Sequence, residues 1–163
     1  MTLVNLVNDR TAINAIKDTL QTNLEDPREQ YVTADRNWIH TDEPLQTATY
    51  PRIQVVKRGP TNVENMSLGR TFIERREMIL DIKMWSKAPF KWQNTDNAYL
   101  QDEELIKEWL HKIWVALKAA QSTLDNTYGI TGLRNMGEDM PYIEPDTQLN
   151  AGVISVRIWY FRQ

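Results

Sequence analysis

Residues 75–86, RREMILDIKMWS, decide the fold: Met78, Leu80, Ile82 and Met84 alternate with Glu77, Asp81 and Lys83. Period two is the spacing of a β-strand with one buried and one wetter face. Upstream, Pro51 opens a β-branched run, Ile53-Gln54-Val55-Val56-Lys57, which stops at Arg58-Gly59-Pro60. A breaker of that kind ends a strand in the sequence reading. Strands over 53–57 and 72–85 follow one another without an intervening helix, so they are expected to pair antiparallel as a long hairpin whose polar tip, 59–70, protrudes.

Working outward, Asn8 or Asp9 is a good N-cap for a helix whose apolar positions Ile13, Ile16, Leu20 and Leu24 recur at helical spacing and which ends before Pro27. Residues 26–50 read as polar and irregular, with short edge strands possible at 31–33 and 37–40. Beyond the hairpin, 86–101 is a second polar connection. Asp102, Glu103 and Glu104 then open the strongest helix, whose stripe of Ile106, Trp109, Leu110, Ile113, Leu117 and Ala120 is wide enough to lie across a sheet. Residues 129–136 hold room for another short strand, and the Gly-, Pro- and acid-rich stretch 137–152 reads as a loop. The chain closes on a strand over 153–162 with bulk on both faces, which places it centrally or in a subunit contact. The expected architecture is α+β: an antiparallel or mixed sheet with a long hairpin and two main helices packed on one face, in a single domain spanning 1–163.

Composition narrows the chemistry. With 19 Lys and Arg against 22 Asp and Glu, the net charge of −3 offers no general attraction to nucleic acid or an anionic membrane. The absence of cysteine removes disulfides, thiolate zinc and a cysteine nucleophile together. Residues 1–7 are too short and uncharged for a signal peptide, and no run approaches a membrane span, so synthesis in the cytoplasm and no membrane partner are expected. His40 and His111 lack the spacing of a metal pair, and neither Arg58-Gly59-Pro60 nor Ser67-Leu68-Gly69-Arg70 is a phosphate loop. The acids at 102–104 suit a helix N-terminus better than a divalent metal, and those of 138–146 miss the register of a calcium loop. No catalytic, cofactor-binding or metal residue is expected, and no enzymatic activity.

What remains is surface that calls for a partner. Arg70, Arg75 and Arg76 form either a salt-bridged rim with Glu64, Glu74 and Glu77 or contacts to DNA phosphates, and the rim is the favoured reading. Six tryptophans in 163 residues are more than the core pattern uses. Trp85, Trp92 and Trp114 fall off the main stripes, which leaves open a second small cluster under a loop or a subunit interface. Met66 and Leu68 in the tip, and Met136, Met140 and Tyr142 in the acidic stretch, are isolated apolar residues in polar surroundings. The candidate partner-interface residues are Met66, Leu68, Arg70, Trp85, Trp92, Met136, Met140 and Tyr142.

The run Tyr50-Pro51-Arg52-Ile53-Gln54-Val55, the strand 75–86, the helix from Glu103 to Ala120 and the ending Arg157-Ile158-Trp159-Tyr160-Phe161-Arg162 together resemble the tail terminator or tail completion proteins of long-tailed phages and related archaeal viruses. The likeness is one of order and style over residues 8–162, and segments 26–50 and 137–152 are longer than the smallest members of that family carry. The resemblance implies a ring, typically of six subunits, that closes the tail tube and meets the head connector. Its implied partners are further copies of itself, the tail tube protein and a head-completion or connector protein, with passing contact to DNA. The implied location is the virion neck or tail, after assembly in the host cytoplasm. Related folds also serve other neck and tail proteins, and a nucleic-acid-binding module using Arg70, Arg75, Arg76, Trp85 and Trp92 is the alternative. An enzyme with a pocket between helix and sheet would need a carboxylate pair that nothing in the sequence specifies.

Overall fold

A computed structural model describes residues 8–31, 37–41 and 49–162, apart from the side chains of Leu68 and Met140. Helix α1, Asp9–Asn23, begins where the Asn8 side chain accepts a hydrogen bond from the Thr11 backbone N–H at 2.8 Å. Its buried positions, Ala12, Ala15, Ile16, Thr19 and Leu20, share one face. A 3-10 turn, Pro27–Gln30, follows, capped by Asp26. Strand β1 is Ile39–His40, β2 Arg52–Leu68, β3 Thr71–Ser86, β4 Lys91–Gln93 and β5 Tyr99–Gln101. Then come α2, Asp102–Ala119, α3, Gln121–Tyr128, and two long strands, β6, Ile130–Ile143, and β7, Asn150–Arg162.

The main sheet runs β1-β2-β3-β7-β6, and β4 and β5 form a small separate hairpin. Every pairing is antiparallel except β1 with β2. The expected α+β class, long hairpin and helix-covered face are therefore present. Met78, Leu80, Ile82 and Met84 of β3 and Ile154, Val156, Ile158 and Tyr160 of β7 bury the same face, and the stripe Ile106, Trp109, Leu110, Ile113 and Leu117 of α2 closes over it. Gly152 marks how near α2 lies: a Cβ there would stand 2.4 Å from Cγ2 of Ile106 and 3.0 Å from Cδ1 of Leu110. The bulky C-terminal strand is central, as both of its faces suggested.

Four expectations change. The connection at 61–69 is strand: β2 continues to Leu68 and only Gly69 and Arg70 turn, with Gly69 at φ +65°. The Arg58-Gly59-Pro60 breaker makes a bulge between Arg58 and Asn62, where an unpaired residue has no need of the N–H that proline lacks, and pairing resumes at Asn62 opposite Glu77. The stretch 137–152 is strand as far as Ile143, with irregularities at Ile130/Gly132, Asn135/Gly137 and Asp139/Tyr142, and the loop between β6 and β7 is only 144–149. Helix α3 has no counterpart in the sequence reading. It buries a single residue, Leu124, and ends on Gly129 at φ +71°. Finally, the connection 86–101 contains the β4–β5 hairpin. Of the two short strands expected in 26–50, the second is β1; residues 32 and 33 of the first lie outside the described residues.

Candidate interaction surface

Alternate residues of β2, β3, β7 and β6 point away from the helices. On this open face Arg58 pairs with Asp81 at 2.6 Å and donates to the Ser155 hydroxyl at 2.7 Å, while that hydroxyl donates to the same Asp81 oxygen at 2.8 Å. Glu77 lies 3.1 Å from Arg157 and 3.5 Å from Arg75, which reaches Glu64 at 3.5 Å as well. The Arg75 guanidinium sits 5.9 Å from the centre of the Trp159 ring. Arg58, Arg75 and Arg157 on this face are thus each paired with a carboxylate within the chain. Such exposed pairs add little to stability, but they lower the positive potential these arginines offer a phosphate backbone.

Trp159 covers Gly132 of the neighbouring strand so closely that a Cβ at that position would overlap its indole at 1.6 Å. Gly132→Ala is therefore expected to swing Trp159 off the sheet, at a cost of about 1–3 kcal/mol. A lowered urea midpoint together with red-shifted tryptophan emission would register it, and an unchanged midpoint would show that the ring moves freely.

On the helix side, Asp9 ties the start of α1 to three strands. Its carboxylate accepts from Lys57 at 2.9 Å and from the Thr61 hydroxyl at 2.6 Å, bonds the buried Tyr160 hydroxyl, and lies 3.6 Å from Arg76. Partial burial alone would raise this carboxyl, but the hydrogen bonds from Thr61, Tyr160 and Lys57 outweigh it and hold Asp9 well below the usual carboxylate range. Burial, followed by the bond to Asp9, pushes the Tyr160 phenol upward against the opposing pull of Arg76. Arg76 also pairs with Glu74 at 3.1 Å. This network fixes a helix to a sheet.

The candidate interface residues separate into groups. Strand β7 ends at Arg162 opposite Glu74, so, among the described residues, 71–73 of β3 pair only with β2 and the ribbon tip extends past β7, with Ile73 buried and its neighbour Phe72 exposed. There Phe72 is 77% exposed, Val63 and Met66 are also exposed, and Arg70 occupies the turn. On β6, Met136, Tyr142 and Ile143 are exposed. Leu68 and Met140 fall in these same two strands, with side chains outside the described residues. Trp85 does not belong with them: it is buried with Leu149, Ala151 and Tyr50, and its indole N–H donates to Glu144 at 2.9 Å. The second small cluster under a loop is its place. Trp92 is half-buried, its ring 5.6 Å from that of Trp109, and Trp114 packs at the margin of the core. Phe72 was missed by the sequence reading, although it is a large aromatic two residues past the Gly69–Arg70 turn.

Among the described residues no group of three or more His, Asp or Glu is placed to hold a metal, and no helix is long and apolar enough to cross a membrane. No protein-family model matches the chain, and no curated protein does.

Proposed function

We propose that this chain is a structural subunit of a tailed virus, assembling into a ring that closes the tail tube and joins it to the head connector. The observation that carries the reading is the end of the β2–β3 ribbon that extends past β7, with Phe72 exposed to 77% and Met66 beside the turn. A large aromatic held out on a two-stranded ribbon gains nothing in its own domain and is suited to a partner. The order of elements, which resembles tail terminator and completion proteins, supplies the kind of partner. A ring needs two different surfaces on each subunit, and the ribbon at one sheet edge and β6 at the other provide two. The nucleic-acid alternative is less well supported, because Arg75 and Arg76 are each paired with carboxylates and Trp85 is buried.

Replacing residues 67–72 by Asn-Gly would join Met66 to Ile73 through a two-residue hairpin turn and leave the rest of the sheet untouched. The shortened protein is expected to keep its circular dichroism and melting temperature while losing ring formation or docking to tail tubes. Normal assembly by the shortened protein would move the interface elsewhere.

A further inference from the structure

An open cleft of about 690 Å³ lies between the end of α1, the 3-10 turn, β4 and α2. Its volume falls in the range of about 300–1,000 Å³ typical of sites that bury a ligand. Trp92 and Trp109 meet edge to face in its wall, and Lys112 lies 5.2 Å from the Trp92 ring centre. Trp109 is 2% exposed and its indole N–H has no acceptor, an unusual state for a buried donor. Glu25 and Glu29 stand exposed among the lining residues. This is an aromatic recess with an acidic margin.

The ribbon tip is its complement. Residues 66–73, MSLGRTFI, carry one positive charge and no acid. Arg70 sits at the turn and Phe72 presents its ring to solvent. We infer that the tip of one copy docks in this cleft of a second copy, with Phe72 against Trp92 and Arg70 toward Glu25 and Glu29. The contact is heterologous, since tip and cleft are different surfaces, and repeated it generates a ring or an open helix. This inference rests on the ring reading and specifies which surfaces meet.

Because the natural chain has no cysteine, introduced thiols report the contact directly. Arg70→Cys and Glu29→Cys proteins, mixed and mildly oxidised at concentrations where sedimentation shows assembly, are expected to give a disulfide-linked heterodimer. Arg70→Cys mixed with Asp125→Cys, on exposed α3, is expected to give none. Phe72→Ser, which removes an exposed side chain, is expected to raise the concentration needed for assembly at least about tenfold with an unchanged melting temperature. Assembly without the Arg70–Glu29 link, or with equal linkage at Asp125 or from tip to tip, overturns the docking while leaving the ring standing. No assembly and no link removes both.

Discussion

Leu110→Ala is expected to cost about 2–5 kcal/mol, the range for emptying a large aliphatic side chain from a packed core. Leu110 is 1% exposed on the inner face of α2, and Gly152 of β7 lies directly beneath it and Ile106. That close approach is what makes the site unforgiving. A helix already resting on a glycine cannot sink further to fill the space, because the β7 backbone blocks it, so most of the cavity should persist. Urea unfolding followed by circular dichroism measures the loss as a lower midpoint at constant slope. An unchanged midpoint would mean that α2 does not pack on the β3–β7 face.

Asp9→Ala is expected to cost about 2–3 kcal/mol, since it strips hydrogen bonds to charged groups and leaves the buried Tyr160 hydroxyl without its acceptor. Asp9→Asn should cost less, because the amide oxygen still accepts. The two variants also separate in pH dependence. The folded carboxyl titrates below its unfolded value, so its contribution is complete above the ordinary carboxyl range, near about pH 4, and drains away as pH falls from there toward the folded value. Wild-type stability should therefore fall in acid more steeply than that of Asp9→Asn. Parallel stability curves for the two between pH 6 and the acid limb would show that Asp9 does not bear the charge linking α1 to Lys57 and Arg76.

Where one face of an element is buried and the other wet, the sequence was sufficient. Strand β3 and helix α2 show their periods because each lies between core and solvent, and those two elements define the sheet and its cover. The outer half of β2 and the second half of β6, residues 137–143, were read as loops for the opposite reason. The outer half of β2 lies mostly in water and is interrupted by the bulge at Arg58/Asn62, and β6 is an edge strand broken by bulges, so neither is required to alternate. Helix α3 was invisible because one buried leucine makes no stripe. Trp85 shows the limit for single residues: it does lie on the face opposite Met84, as period two requires, but the path of residues 144–149 across that face is a tertiary fact with no local signal. The Trp92 cleft likewise joins α1, β4 and α2, which are far apart in the chain, so its aromatic wall and acidic margin emerge only when those elements meet.

The central claim is that this chain works by assembling. Sedimentation velocity of the full chain over a wide concentration range, alone and with tail tubes, tests it most directly. The account predicts a discrete closed oligomer, about six subunits by the resemblance to tail terminators, that builds with concentration or on the tube end. A species that stays at the 19.1 kDa of the monomer at the highest soluble concentration and does not bind tubes would contradict it.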